Sequence, residues 1–325
     1  MCNILNYMKR KDWVVIIFLL SSQVALAQKD TLVNITNITL ETKTGKIYGS
    51  ISVPNTNKKM PVVLIIAGSG ATDRNGNVGK AVNSNSYKIL ADSLLKNGIA
   101  SLRFDKRGVG ESMSALKAEK DLRFVDFIDD ASLWVQLLKK DKRFSAIIIA
   151  GHSEGSLIGM VVAKRENVAK FISLAGAGFP IQDVLRKQFK AQPEQVQAIL
   201  ISRLDTLVSG KVLTDVPQNL YSIFRPSVIP YMLDWFKYVP AVEIAKLTIP
   251  ALIINGTTDI QVGIEEAENL HKACKQSKMV IVNGMSHLLK DAPADRAKNI
   301  ATYNTTPNEP IKTELLQAIV KFIKK

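Results

Sequence analysis

Two hydrophobic patterns follow one another along the chain. Over residues 31–53, Thr, Ile and Val recur with partial alternation and are interrupted at Thr44-Gly45. That predicts two antiparallel strands joined by a turn. A polar loop follows over 54–59, and the pattern then changes. A continuous apolar run at 62–67 predicts a strand covered on both faces, and the segments 99–104, 146–150, 171–174, 251–255 and 278–282 also read as strands. Between them lie helical patterns at 87–96, 125–139, 156–163 and 264–274, and a closing one at 309–323. In 125–139 the residues Phe127, Ile128, Ala131, Trp134, Val135 and Leu138 form one stripe. Asn97-Gly98 stops the first helix.

Strand–helix alternation of this kind makes an α/β protein, with a mostly parallel sheet and helices on both faces. Chemistry in such sheets gathers at the carboxyl ends of the strands. Residues 179–247 break the alternation. They carry helical stretches, Pro217, Pro226, Pro230 and Pro240, and no obvious strand. They read as a helical cap inserted into a core formed by 28–178 and 248–325.

Composition changes this picture little. With 325 residues, 46% hydrophobic and 22% charged, the chain is an ordinary globular one that buries a sizeable core. The net charge of +14 is scattered, with no basic run interleaved with aromatics, so no nucleic-acid partner is expected. The N-terminus adds more. Lys9, Arg10 and Lys11 precede an apolar stretch at 13–20, and Ala25-Leu26-Ala27 offers a cleavage site. This predicts a signal peptide over 1–27, a mature chain starting at Gln28, and a secreted or periplasmic location. The apolar stretch is short against the roughly 20 residues of a span, so cleavage is expected rather than a lasting anchor. Cleavage removes Cys2 and leaves Cys274 alone, so no internal disulfide is expected. No Cys/His cluster has metal-ligand spacing, and no metal or organic cofactor is called for.

The chemistry starts at Gly151-His152-Ser153-Glu154-Gly155, directly between an expected strand and an expected helix. In that setting a G-x-S-x-G turn strains the serine backbone and lifts its hydroxyl above the sheet. A serine hydroxyl needs a base. The chain has three histidines. His152 belongs to the turn itself and His271 to an amphipathic helix. His287 lies in a loop after the last strand, so it is the expected general base and acid. Asp259 follows the strand 251–255 and is the expected partner of the imidazole, with Glu265 and Glu266 as rivals on the next helix. Two backbone donors are expected to hold the oxyanion. One is the Glu154 N–H. The other comes from Gly68-Ser69-Gly70-Ala71, with the Ser69 N–H expected and Gly70 its neighbouring alternative.

These residues, with Gly-Ser-Gly-x-x-Asp-Arg at Gly68 to Arg74 and Phe-Asp-Lys-Arg-Gly-Val-Gly-Glu-Ser at Phe104 to Ser112, resemble the α/β-hydrolase superfamily. Bacterial carboxylesterases with a helical cap are the most similar members. The resemblance implies an α/β-hydrolase fold and a serine esterase acting on a small-molecule carboxylic ester through an acyl-enzyme. Its nucleophile, acid and histidine fall on Ser153, Asp259 and His287. Ala67-Gly68-Ser69-Gly70 departs from the His-Gly-Gly-Gly form of many lipases, which speaks against a lipase. Asp73, Arg74, Asp105 and Arg107 are expected to order loops by ion pairing rather than to bind substrate. Phe179, Phe224, Tyr231, Trp235, Phe236 and Tyr238 either line a pocket or form the cap's own core. The alternatives in activity are a serine peptidase or aminopeptidase, an acyl thioesterase, and a binding protein without catalysis. An aminopeptidase would turn cap acids such as Asp183, Glu194, Asp205, Asp215, Asp234 or Glu243 towards a substrate ammonium.

Overall fold

A computed structural model describes residues 34–190, 192–213 and 215–325. The expected signal peptide, Cys2 and the first residues of the first expected strand lie outside these. The described chain opens with β1 (Asn34–Thr42) and β2 (Gly45–Val53), an antiparallel hairpin in which Thr42 faces Gly45. Then come β3 (Met60–Ile66), α1 (Ser86–Lys96), β4 (Ala100–Phe104), α2 (Phe124–Lys140), β5 (Phe144–His152), α3 (Glu154–Glu166) and β6 (Lys170–Leu174). The helices α4 (Ile181–Phe189), α5 (Glu194–Val208), α6 (Tyr221–Phe224), α7 (Ile229–Trp235) and α8 (Pro240–Ala245) follow with no strand among them. The alternation resumes with β7 (Ala251–Gly256), α9 (Ile264–Ala273), β8 (Ser277–Val282), α10 (Arg296–Thr305) and α11 (Thr313–Lys324).

The strands form an eight-stranded sheet in the order β1-β2-β4-β3-β5-β6-β7-β8. From β4 to β8 all neighbours are parallel, and β2 joins β4 antiparallel. The central strands are buried along nearly their whole length; β3 therefore reads as an apolar run, whereas β4 buries Ser101 and Arg103 as well. One face packs on α2, α3, α8 and α9 through residues such as Phe124, Trp134, Leu157 and Leu270. The other packs on α1 and α11 through Leu90, Leu94, Leu315 and Ile319. From β3 the chain goes first to β4 on one side and then to β5 on the other. That reversal opens a crevice at the carboxyl ends of β3 and β5.

The helices between β6 and β7 have a core of their own, including Phe189, Leu204, Leu207 and Phe224. An aromatic seat fixes them to the sheet domain. The Phe124 ring stacks on Trp235 at 5.4 Å and meets Tyr238 at 5.1 Å, while Tyr231 stands edge-on to Phe127 at 5.8 Å. The Asp234 carboxylate caps this seat by accepting from the Val125 N–H at 2.9 Å. At the cap's entry, Glu266 accepts from the N–H groups of Gly178 and Phe179 at 2.7 and 2.9 Å.

Two features differ from the sequence expectation. The closing helix begins at Thr313, not at 309, because Pro310 disfavours a helical residue before it and Ile311 bridges Lys290. Helix α10 was not expected. It buries only Asn299 fully, so no apolar stripe marks it. Its one local signal is the N-cap Asp295, whose carboxylate accepts from the Lys298 N–H at 2.9 Å.

Phe124 is fully buried beneath the cap aromatics. Phe124→Ala is expected to lower stability in urea melts by about 3–5 kcal/mol. Unchanged stability would mean that these rings contribute no seat.

Candidate active site

Strand β5 ends at His152 and α3 starts at Glu154, so the whole reversal falls on Ser153. Its backbone takes φ 54° and ψ −121°, outside the range ordinary side chains prefer. Space explains the flanking glycines. A Cβ on Gly151 would run into the Gly155 carbonyl, and one on Gly155 into the carbonyls of Ile66 and Ala67. The turn is pinned by the Ser153 N–H donating to the Leu174 carbonyl at 3.0 Å. Ser153 stays half-buried and therefore reachable.

His287 and Asp259 come together from two loops. The imidazole Nδ1 lies 2.8 Å from Asp259 Oδ2. The Asp259 carboxylate is fully buried. Burial alone would raise its pKa; the imidazole and the N–H groups of Val262 and Gln261 outweigh that and hold it below the usual carboxylate value. A carboxylate at that position accepts the Nδ1 proton, which leaves the Nε2 lone pair for a hydroxyl. Among the described residues Ser153 Oγ makes no hydrogen bond to the imidazole, but both side chains line one cavity of about 150 Å³. Such bonds are often long before substrate arrives. The rivals are placed elsewhere: Glu266 holds the cap's entry and Glu265 pairs with Lys187. His271 packs against Ser277 Oγ at 2.7 Å.

His152 is fully engaged. Its Nε2 lies 2.8 Å from the His287 carbonyl oxygen, which only accepts, so Nε2 carries the proton. Nδ1 then accepts from the Tyr87 hydroxyl at 2.7 Å, and that hydroxyl accepts from the Gly68 N–H at 3.1 Å. One chain of hydrogen bonds thus joins the loop after β3, the nucleophile turn and the histidine loop. Burial, followed by the nearby His287, lowers the His152 pKa to about 3. Tyr87 had read only as the first residue of a helix, and nothing in its surroundings in the sequence marks it.

The loops after β3 and β4 are ordered by buried charge. Asp105 accepts from the Arg74 backbone N–H at 2.7 Å and from its Nε at 3.1 Å. Arg107 forks onto Asp130 at 2.8 and 2.5 Å. Asp73 accepts from the N–H groups of Asn75 and Asn77. Arg74, Asp105 and Arg107 order loops by ion pairing, as expected, whereas Asp73 does so by accepting backbone N–H groups. The aromatics divide. Phe179 and Trp235 line a cavity of about 200 Å³ at Ser153, Ser69 and Glu154. Phe224 and Phe236 belong to the cap core, while Tyr231 and Tyr238 belong to the seat. No group of residues suited to holding a metal ion occurs among the described residues, and no helix among them is long and apolar enough to cross a membrane.

Comparison with solved structures decides the architecture. The esterase Est1E of Butyrivibrio proteoclasticus, bound to ferulic acid, aligns with a TM-score of 0.57 at 18% identity, over 89% of this chain and 100% of its own. The esterase EaEST of Exiguobacterium antarcticum aligns with a TM-score of 0.55 at 16% identity, over 89% of this chain and 100% of its own. The chain has the α/β-hydrolase fold. The model of the family described as "Serine aminopeptidase, S33" matches residues 78–223. Esterase EstD of Thermotoga maritima is 26% identical over 246 residues, which cover 74% of this chain and 57% of that protein. The chain therefore matches somewhat over half the length of that curated relative.

Between pH 3 and 6.5 an unfolded His152 binds a proton that the folded one refuses, so its contribution to stability is complete above about pH 6.5 and is lost as pH falls towards 3. His152→Gln offers a donor and an acceptor without titrating. Urea melts from pH 6.5 to 4 are expected to show a stability slope shallower in His152→Gln than in the wild type, by up to about 1.4 kcal/mol per pH unit. Equal slopes would show that His152 is protonated in the folded state.

Proposed function

We propose that this α/β-hydrolase is a serine hydrolase that cleaves small carboxylic esters. The observation that carries this reading is the strained Ser153 turn opening onto two small cavities, with the buried Asp259–His287 pair at one of them. In this reading Ser153 Oγ attacks the ester carbonyl carbon as His287 Nε2 takes its proton. The carbonyl becomes an oxyanion held by the N–H groups of Glu154 and Ser69. Its collapse breaks the bond to the alcohol oxygen, which leaves with the proton from His287. Water, deprotonated by the same nitrogen, then attacks the acyl-enzyme, and its second tetrahedral intermediate releases the acid and restores Ser153. Asp259 keeps the imidazole in the right tautomer and balances its charge in both halves. The two cavities suit the acyl and alcohol parts of the substrate.

The cap's charges favour an ester over an aminopeptide. Asp183 and Asp205 share Arg186, Asp234 holds the seat, and Glu243 pairs with Lys246. None of the six expected cap acids lines the cavity at Ser153 among the described residues. The walls there include Leu157, Phe179, Val184, Leu185 and Trp235, beside Glu154, Gln188 and Gln261. They suit an uncharged acyl or aryl group. The residues at 1–27 support export to the periplasm or beyond, and N-terminal sequencing of the exported protein starting at Gln28 would establish it.

Initial rates on p-nitrophenyl acetate, longer p-nitrophenyl esters and aminoacyl p-nitroanilides test the reading. Fast ester turnover is expected, with the rate falling to background in Ser153→Ala. Asp259→Asn is expected to lower kcat by a factor on the order of 10⁴. Preferential anilide cleavage would make the protein a peptidase, and ester rates equal in wild type and Ser153→Ala would remove Ser153 from the chemistry.

A further inference from the structure

Asp105, Lys106 and Arg107 are three consecutive charged residues at the carboxyl end of β4, and all three are buried. The outer two have their partners in the Arg74 guanidinium, which donates to Asp105, and the Asp130 carboxylate, which accepts from Arg107. They hold Lys106 between them and aim it inward. Its side chain is 4% exposed, and its ammonium donates to the Gly68 carbonyl at 2.5 Å. It also lies 3.7 Å from Glu154 Oε1 and 5.3 Å from the centre of the Phe127 ring. The Glu154 side chain is 2% exposed.

The geometry of the peptide unit gives this contact its meaning. In a trans peptide the carbonyl of one residue and the N–H of the next point in opposite directions. The carbonyl fixed by Lys106 belongs to Gly68, so the N–H turned the other way is that of Ser69. Among the described residues that N–H has no acceptor, and Ser69 lines both cavities that Ser153 lines. Gly68 is held at its other polar atom too, since its N–H donates to Tyr87. A Cβ at Gly68 would stand 3.2 Å from both His152 Nδ1 and Ser153 Cβ, so the loop already lies against the nucleophile turn. Glu154, which keeps Lys106 in place, is the residue whose own N–H starts α3 beside Ser153.

We propose that the buried Lys106–Glu154 pair positions the oxyanion hole, with Lys106 gripping the Gly68 carbonyl so that the Ser69 N–H faces the reacting carbonyl. Lys106 touches no substrate atom in this arrangement and is a positioning residue. A cation on the carbonyl also polarises the peptide and strengthens its N–H as a donor. The two donors of the oxyanion hole, on Ser69 and Glu154, are 85 residues apart in the chain, and this ion pair ties one segment to the other. The inference rests on the esterase reading above.

Lys106→Met alone strands a buried carboxylate and is exposed to misfolding. The informative variant is therefore Lys106→Met with Glu154→Gln, which removes both charges and keeps the Glu154 backbone donor. Its kcat on p-nitrophenyl acetate is expected to fall by about 10²-fold, towards the lower end of the loss for one oxyanion donor. KM is expected to move less than about threefold, because the lost interaction is made chiefly in the transition state. Affinity for a phenylboronic acid, whose tetrahedral adduct on Ser153 carries the same negative charge, is expected to fall in parallel with kcat. Lys106→Arg, which keeps a cation and donors, is expected to retain more kcat than the double variant. If the double variant recovers the wild-type kcat, Lys106 is only the counter-ion of Glu154 and the proposal fails. If KM rises while kcat and boronate affinity hold, the pair shapes substrate binding and the proposal fails likewise. A wild type without Ser153-dependent turnover overturns the esterase reading and this inference with it, whereas failure confined to the Lys106 variants leaves that reading intact.

Discussion

A serine at φ 54° and ψ −121° sits in a conformation that costs on the order of 1–3 kcal/mol, and it persists only where its surroundings leave no alternative. Those surroundings come from the whole fold. Strand β5 lies inside the sheet with β3 and β6 on either side, so its end cannot shift. Helix α3 must turn back at once onto that sheet, and its approach is so close that Gly151 and Gly155 have no room for side chains. A hydrogen bond of 2.8 Å between Ser156 and Ser173 fastens the start of the helix to the neighbouring strand. The strain is the direct consequence of packing a helix against the strand that precedes it. Its by-product is a hydroxyl raised over the crevice, beside the unpaired N–H groups of a helix start.

The loops around this turn have only isolated bridges and turn bonds along their backbone, and buried charge adds to what holds them. Six ionic side chains (Arg74, Asp105, Lys106, Arg107, Asp130 and Glu154) are buried in one region. Desolvation cancels most of what such pairs gain, so they contribute little to net stability. Their value is direction. Burial raises the Asp130 carboxyl pKa, opposed by the two-pronged grip of Arg107, and a bond formed under that cost is lost if the geometry slips. Burial likewise lowers the Lys106 pKa, opposed by Glu154. A cation held this way forms its bonds in one arrangement or is not held at all. This suits a site whose donors must meet a charge that exists only during the reaction.

The sheet was legible in the sequence because strands covered on both faces leave unbroken apolar runs such as 146–150. The candidates Ser153, Asp259 and His287 were legible because each follows an expected strand, in the order Ser, Asp, His. Lys106 was not. It stands in a loop of a chain with 43 Lys and Arg, where one more lysine reads as surface, and only the fold shows that it points inward. The cap aromatics left two readings open because pocket wall and cap core require the same residue types. The structure divides them by which face of the cap each lies on. Helix α10 escaped notice because its one fully buried residue is an asparagine and its other ties to the molecule are polar, with no apolar stripe to give it away. Periodicity reports only those elements that bury a face.

The turn that orients Asp259 also shapes the way in. Asp259 Oδ1 accepts from the N–H groups of Gln261 and Val262 at 2.8 and 2.9 Å, so the backbone of 259–262 is wound around the carboxylate. That winding presents the Gln261 side chain to both cavities at Ser153 and to a third of about 550 Å³ between cap and sheet domain, lined also by Gln188 and Arg296. The Gln261 amide donates to the Tyr303 hydroxyl at 2.9 Å, which joins it to α10. The position of Asp259 and the junction of the three cavities therefore depend on the same turn. A longer substrate that reached the third cavity would press on the same four residues that hold the imidazole's partner. The turn that holds the partner of His287 thus also forms part of the wall of all three cavities.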